Sequence, residues 1–278
     1  MELQNVANLG PSGYTLSIEE KSALQVSMLA IQRKENLPSK LMFWGKIMGE
    51  TNDYLIAYSL IPAYYFPVKR FYYCTTANMS TLVQMPILSP EWKELSAAIK
   101  LPFRGEPSAL MIEGAEEPEE PEVAEGEEAP PPVEVFREQH RLSYVVSQID
   151  HDVAVVPRGA FIVDAAHKVT KNKFFEGLSY PAAGALANYY HFRAPESARA
   201  AACLEKPGIV RPADFLDPVA EDAPAGVWSQ FYDSSSTMSL LRSFYWPGYF
   251  FYHVCETGEY GGVYIGDGLA NEDLPFML

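Results

Sequence analysis

The chain contains 278 residues, of which 48% are hydrophobic and 21% are charged, close to an ordinary globular protein. This composition excludes a wholly disordered chain, a collagen and a small disulfide-dense secreted domain. With 36 acidic residues against 21 basic ones, the formal net charge is −15. We therefore expect neither nucleic acid nor an anionic membrane as a partner, because both bind basic surfaces.

The negative charge is concentrated in one segment. Residues 113–134 contain ten glutamates and no lysine, arginine or aspartate. Like charges repel, and few large apolar side chains are present to offset the entropy lost on ordering. We predict a disordered acidic loop at about 105–140 that interrupts a single domain spanning residues 1–278. A solvated flexible loop is the simpler interpretation, and the alternative is an electrostatic contact made by Glu116, Glu117, Glu119, Glu120, Glu122, Glu125, Glu127 and Glu128.

The cysteines indicate the cellular compartment. Cys74, Cys203 and Cys255 are widely separated, odd in number and without a CxxC spacing. They fit small buried apolar residues in a reducing compartment. The sequence shows no secretory signal pattern, and no apolar run approaches the ~18 residues of a spanning helix. We therefore expect a soluble intracellular protein.

The first part of the chain predicts a helix followed by antiparallel strands. Residues 1–16 are polar and punctuated by glycine and proline, which predicts an irregular arm. Ser17 and Glu20 fit a capping box, and the apolar spacing that follows predicts a helix over 18–35. The period then changes to two. The further predicted elements are strands at 40–48 and 52–60 joined as a hairpin, a strand at 68–76 and a short helix at 90–99.

Beyond the acidic segment, strand-like and helical patterns alternate. The predicted elements are strands at 142–149, 153–156 and 160–163, helices at 180–191 and 195–204, a loop at 211–224, and strands at 227–232, 238–246, 249–255 and 260–265. Together these elements predict an α+β fold: a mainly antiparallel β-sheet with three or four short helices and one disordered acidic loop.

The sequence offers no catalytic motif. His253 and Cys255 would share one face of a strand, but zinc needs three or four donors. The glycine-rich stretch 258–268 is better explained by hairpin turns than by a phosphate cradle, because acidic residues surround it. GxSxG, HExxH, P-loop and GxGxxG motifs are absent. We therefore predict no enzyme activity, no catalytic residue, no metal and no cofactor.

Residues 244–252 are unusually aromatic, and two interpretations remain open. The block either forms a strand pair that is buried on both sides, or one of its faces contacts a partner subunit, because Tyr, Trp and Phe are enriched at interface cores. The second interpretation makes Trp246, Tyr249 and Phe251 candidates for a subunit interface. Trp44 raises the same question in the first predicted strand.

Short motifs along nearly the whole chain resemble those of the radial spoke head protein 9 family. They are Phe43-Trp44-Gly45-Lys46-Ile47, Asp53-Tyr54-Leu55-Ile56-Ala57, Val155-Val156-Pro157-Arg158-Gly159-Ala160, Phe175-Glu176-Gly177-Leu178-Ser179, Tyr190-His191-Phe192-Arg193, Leu241-Arg242-Ser243, Trp246-Pro247-Gly248, Phe251-Tyr252-His253 and Asp273-Leu274-Pro275-Phe276-Met277-Leu278. Their order and the chain length make chance agreement improbable, although residues 105–140 do not match in detail.

The resemblance implies a structural, non-catalytic subunit of the radial spoke head in the axoneme of motile cilia and flagella, a cytoskeletal location. It implies assembly with radial spoke head 4 and 6 type subunits and other spoke proteins. It also implies transient contact with the central-pair apparatus, which helps to regulate dynein-driven motility. The alternatives are a soluble carboxylate-based hydrolase, or a free-standing peptide-binding module that uses a sheet edge.

Overall fold

An eight-stranded sheet forms the centre of the computed structural model, which describes residues 1–111, 135–164, 166–205, 215–233, 235 and 237–277. In chain order the strands are β1 (Met42–Ile47), β2 (Tyr54–Ile61), β3 (Val68–Thr75), β4 (Asn78–Gln84), β5 (Val155–Pro157), β6 (Phe161–Val163), β7 (Val169–Lys171), β8 (Tyr189–His191), β9 (Trp228–Asp233), β10 (Met238–Ser243), β11 (Tyr249–Val254) and β12 (Tyr260–Gly266). The fold is α+β, as the sequence predicts.

The large sheet consists of two antiparallel meanders. Its strand order is β4-β3-β2-β1-β12-β11-β10-β9. Only β1 and β12, where the meanders meet, run parallel, with Gly45 opposite Tyr264. The strands β5 and β8 form one small antiparallel pair, and β6 and β7 form another. The predicted hairpin of β1 and β2 is confirmed, with Lys46 opposite Leu55.

Helices cover both faces of the sheet. They are α1 (Ile18–Lys34), α2 (Pro90–Ala98), α3 (Glu138–Val153), α4 (Tyr180–Ala183), α5 (Ala198–Glu205) and α6 (Leu274–Met277). The capping box predicted for α1 is present, because the Glu20 backbone N–H donates to Ser17 Oγ at 3.1 Å and the Ser17 N–H donates to Glu20 Oε2 at 2.8 Å. None of the helices in the described ranges is long and apolar enough to cross a bilayer.

Strand alternation divides the aromatic residues between two cores. Tyr249 and Phe251 face α3, whereas Phe250 and Tyr252 face α1 and the 3-10 helix Leu3–Ser12. Both sides of β11 are therefore buried, which is the first of the two interpretations of the aromatic block. A third, smaller cluster packs β6 and β7 against Phe192 and neighbouring side chains.

The sequence prediction of a strand at 142–149 is wrong, because these residues lie within α3. Val145, Val146 and Ile149 favour strands in isolation. In the fold they lie on the buried side of a helix, with Leu142 and Val153 at helical spacing on the same side. Burial of these side chains against the sheet outweighs their local preference for the strand conformation.

Three other predictions need correction, and two strands were not predicted. The predicted arm contains the 3-10 helix Leu3–Ser12, and the predicted helix at 180–191 divides into α4, the 3-10 turn Leu186–Asn188 and β8. The sequence reading missed β4 and β7. The predicted acidic loop is also too wide: Leu110 bridges Arg137, and α3 begins at Glu138. Residues 112–134 of that loop lie outside the described residues.

A glycine is required where the two meanders meet. A Cβ on Gly45 would lie 2.1 Å from the backbone oxygen of Tyr264, its partner on β12. No side chain fits at that distance, so the close approach of β1 and β12 depends on this position. This gives a physical role to the glycine in the motif Phe43–Ile47.

Candidate interaction surfaces

The four aromatic residues predicted for a subunit interface are all internal. Trp44, Trp246 and Tyr249 are each 6% exposed and Phe251 is 0% exposed, and all four belong to the core between the sheet and α3. Trp44 packs at 5.7 Å from the Tyr264 ring. In the isolated chain, these rings offer little surface to a partner.

Two of these residues attach the end of α3 to the sheet. The Trp44 indole N–H donates to Asp150 Oδ1 at 3.1 Å, and the Trp246 indole N–H donates to Asp152 Oδ2 at 2.9 Å. Asp150 also forms a salt bridge of 2.6 Å with Lys69. An indole can only donate, so an ionised carboxylate is a well-matched acceptor in a partly buried site.

The start of α3 is held by a buried carboxylate. Glu138 is fully buried and accepts the Tyr54 hydroxyl at 2.5 Å. It also accepts the backbone N–H groups of Arg104, Gly105 and Glu106 at 2.9, 2.8 and 3.2 Å. Burial and the hydrogen bond to Glu138 raise the pKa of Tyr54 well above its usual value. The phenol therefore remains a donor, and both ends of α3 are attached through polar groups.

A cavity of about 360 Å³ lies beside the Lys69–Asp150 pair and is lined in part by Trp44 and Tyr249. Lys69 Nζ donates to both Asp150 oxygens and lies 5.4 Å from the centre of the Tyr58 ring. The charges of this pair neutralise each other. The arrangement supports α3 and leaves the Lys69 amine paired with a carboxylate.

A second cavity, of about 550 Å³, contains an imidazole–carboxylate pair. His191 Nε2 lies 2.9 Å from Asp222 Oδ1, and the Trp228 indole donates to Asp222 Oδ2 at 2.7 Å. Ser243 also lines this cavity, and its hydroxyl accepts a hydrogen bond from the Trp246 backbone N–H. Among the described contacts, no hydrogen bond joins Ser243 to His191.

Two carboxyl groups have pKa values shifted away from those of a general acid. Burial opposes the shift at Glu20, but hydrogen bonds from Lys46 and Ser17 lower its pKa. At Asp217, burial is likewise outweighed by hydrogen bonds from Ser197 and the Glu196 N–H, which lower the pKa. A general acid needs a raised pKa to hold its proton near neutral pH. These two groups therefore act as ionised acceptors.

His253 and Cys255, the pair considered for a metal, are buried. The Leu178 backbone N–H donates to His253 Nε2 at 3.4 Å. Burial lowers the pKa of His253 to about 4 and raises the pKa of the Cys255 thiol. Nowhere in the described part of the chain do three or more possible ligand side chains form a group that could hold a metal ion.

Exposed apolar side chains cluster near one edge of the sheet. Phe244, Tyr245, Phe276 and Met277, here called the Phe244 patch, are all exposed, and Phe276 is 89% exposed. Asn271 contacts three of them: its N–H donates to the Tyr245 carbonyl at 2.8 Å, and its side-chain amide donates to the Phe244 carbonyl at 3.2 Å and to Met277 Sδ at 3.6 Å. A patch of this kind is typical of an interaction site.

The Phe244 patch adjoins the start of the edge strand β9. The Phe244 N–H donates to the Val227 carbonyl at 2.9 Å, immediately before β9 begins. Among the described strands, β9 pairs only with β10, and it carries Phe231, which is 60% exposed. An unpaired strand edge with an exposed aromatic ring can accept a further strand. The sequence drew attention to residues 244–252 but not to Phe231 or to β9 as an edge strand, because pairing order is not visible along the chain.

The eight glutamates proposed for an electrostatic contact cannot be placed. Glu116, Glu117, Glu119, Glu120, Glu122, Glu125, Glu127 and Glu128 all fall within residues 112–134, outside the described residues. Their contact therefore stays a prediction from the sequence.

Comparison with known proteins gives a consistent result. Radial spoke head protein 9 homolog of Danio rerio is 40% identical over 271 residues, covering 96% of this chain and 95% of the relative. The Homo sapiens homolog is 36% identical over 269 residues with the same coverage, and the Xenopus tropicalis homolog is 31% identical over 285 residues, covering 100% and 98%. No family model matches the chain.

These relatives place the chain among radial spoke head proteins, which are axonemal components of cilia and flagella. Within that class, the chain belongs to the radial spoke head protein 9 family. The family indicated by the sequence motifs is thus confirmed.

We predict that Trp44→Phe destabilises the folded chain because it removes the hydrogen bond from the indole to Asp150. The change keeps an aromatic ring but leaves Asp150 without its indole donor, and we expect a loss of about 2 kcal/mol in the free energy of unfolding. Urea unfolding measures this value. Trp92→Phe is the matched control, because among the described contacts no carboxylate accepts from its indole. Equal losses in the two variants would contradict an anchoring role for Asp150.

We predict a pH-dependent loss of stability caused by His253. Its pKa of about 4 in the folded chain lies below the unfolded value of about 6.5, so folding favours the neutral ring. This contribution is complete above pH ~6.5 and is lost as the pH falls towards ~4. Between pH ~7 and pH ~5 we expect His253 to account for about 2 kcal/mol of lost stability.

The measurement compares urea unfolding of the parent chain and His253→Gln at those two pH values. The variant should lose less stability on acidification. NMR titration of His253 in the folded parent chain provides an independent check. A folded-state pKa near 6.5 would show that this explanation is wrong, whatever the stability of the variant.

Proposed function

We propose that the chain is a structural, non-catalytic subunit of the radial spoke head, assembling with radial spoke head 4 and 6 type subunits and other spoke proteins. The identity of 31–40% over nearly its whole length to radial spoke head protein 9 homologs carries this proposal. Through the assembled head, the subunit makes transient contact with the central-pair apparatus and helps to transmit signals that regulate dynein-driven motility.

The chemistry of the interior supports a structural role. The acids of α3 are used as acceptors for Tyr54, Trp44 and Trp246. The His191–Asp222 pair is hydrogen-bonded to Trp228. These groups hold elements of the fold together, which is what a rigid subunit of a larger assembly requires.

The proposed joint is the Phe244 patch together with the open edge of β9. Its occupant in this proposal is an extended strand of a neighbouring head subunit, which pairs with β9 and covers the patch with apolar side chains. Backbone pairing at the edge supplies affinity, and the exposed rings supply specificity. Aromatic residues are enriched in the buried centres of protein interfaces.

The buried aromatic residues act indirectly in this proposal. Trp246 follows directly after Phe244 and Tyr245, and its bond to Asp152 fixes the local backbone against α3. Trp44, Tyr249 and Phe251 hold the sheet that presents β9. Direct contact of these four rings with another subunit stays a prediction.

We predict that Phe231→Lys combined with Phe276→Ser reduces assembly with 4 and 6 type subunits. A lysine on an edge strand opposes strand addition, and the serine removes an exposed apolar contact. We expect association to weaken at least tenfold, or about 1.4 kcal/mol. Co-expression followed by a binding titration of the purified chains measures this.

The opposite edge of the sheet offers a matched control. Val83 is exposed on the edge strand β4, and Ile87 is exposed just beyond it. Val83→Lys with Ile87→Ser therefore makes the same kinds of change on the other edge and should leave assembly intact. Normal assembly of a folded Phe231→Lys/Phe276→Ser chain would reject the β9 edge as the joint.

We also propose that the acidic segment steers or repels approaching surfaces through long-range electrostatics. Replacing its ten glutamates with glutamine removes the charge and preserves the length. We expect the contact between spoke heads and the central pair to become less sensitive to salt between ~50 and ~300 mM, because screening then has less charge to act on. Unchanged salt sensitivity together with unchanged ciliary beating would rule out this role.

A further inference from the structure

The region around β6 and β7 carries a concentration of positive charge. Arg158, Lys168, Lys171 and Lys173 are all exposed there. Residues 158–173, here called the cationic hairpin, contain only one acid, Asp164. Four cations against one acid give this short stretch a net charge of +3 in a chain whose net charge is −15.

The charges of the cationic hairpin are not neutralised within the described structure. None of its four cations forms a salt bridge with a described residue. Its one acid is used locally, since Asp164 Oδ1 accepts the backbone N–H groups of Ala166 and Lys168, both at 2.9 Å. The chain is acidic, yet none of its described carboxylates forms a salt bridge with these cations. A negatively charged group of another molecule can therefore supply the counter-charge.

The base of the hairpin is ordered. The Val169 N–H donates to the Tyr65 carbonyl at 2.8 Å, and the Asn172 N–H donates to the Ala160 carbonyl at 2.8 Å. Phe161 and Val169 are buried in the third cluster, so the strands that carry the cations are packed. Cations held on a packed base lose less backbone entropy on binding than cations on a free chain.

An exposed aromatic residue accompanies the cations. Phe174, which follows Lys173, is 90% exposed, although its backbone N–H is fixed by a 3.0 Å hydrogen bond to the Asn172 side chain. Tyr64, on the loop that contacts β7, is also exposed. Cations beside exposed rings combine electrostatic attraction with an apolar contact, which suits a polypeptide ligand.

We propose that the cationic hairpin binds a short acidic segment, rich in glutamate or aspartate, of another protein. A negatively charged segment matches the +3 charge. At physiological ionic strength, salt limits electrostatic interactions to a distance of about 8 Å. A short acidic segment can therefore bind the hairpin without repulsion from acidic residues elsewhere on the chain. A nucleic acid or a membrane surface would extend over the rest of this acidic chain and be repelled. This inference does not depend on spoke-head membership.

The test uses the full chain and a fluorescent twelve-residue peptide of glutamate and glycine with one tyrosine. We expect saturable binding at ~50 mM salt that weakens as salt is raised. Lys171→Glu with Lys173→Glu should weaken binding at least tenfold. Lys34→Glu with Lys93→Glu, which changes the net charge equally at other exposed sites, should change binding less than twofold. Phe174→Ser should weaken binding several-fold without altering the salt dependence.

Several results would overturn the proposal. These are the absence of binding at low salt, equal weakening by the two lysine pairs, and tighter binding of single-stranded DNA or phosphatidylserine vesicles than of the peptide. Binding that appears only after residues 113–134 are deleted would show that the chain's own acidic segment occupies the hairpin, which overturns the assignment to another protein. Circular dichroism of each variant confirms that it is folded.

Discussion

The fold depends on how carboxylates of one helix are satisfied beneath a sheet. A carboxylate removed from water destabilises a protein unless donors replace the lost hydration. Glu138 accepts three backbone N–H groups and a phenol, while Asp150 and Asp152 each accept an indole. Because each bond is directional, the helix is fixed in position along the sheet as well as pressed against it. These bonds add to the interlocking of apolar side chains in holding the helix.

The sequence predicts features that depend on residues close together along the chain better than features that join distant residues. The capping box of α1 and the strand patterns of β1, β2, β10 and β11 are local, and both predictions are confirmed. The parallel pairing of β1 with β12 and the bond from Trp246 to Asp152 join residues far apart, which no local period encodes. For α3 the local signal was misleading, because its valines favour strands. The buried positions at helical spacing were visible in the sequence, and they could have identified the helix.

The candidate interaction surfaces show the same difference between local and long-range features. Sequence reasoning correctly identified residues 244–252 as unusual, but alternation along a strand cannot reveal which elements cover each face. Tyr249 and Phe251 are covered by α3, whereas Phe244 and Tyr245 at the preceding turn remain exposed. Aromatic content therefore located the region, and only the three-dimensional arrangement separated the rings that stabilise the chain from those available to a partner. Family membership, carried by motifs spread over the whole sequence, was accessible without that arrangement.

The parallel contact between β1 and β12 has a mechanical consequence. In parallel strands, the entry of one and the exit of the other lie at opposite ends of the pair. Tension that separates the two meanders along the strand axes therefore acts on β1 and β12 in shear. Their hydrogen bonds must then stretch together, whereas those of a hairpin pulled open break one after another. Gly45, by allowing the two backbones to meet closely, helps to set the force at which this pair of strands separates.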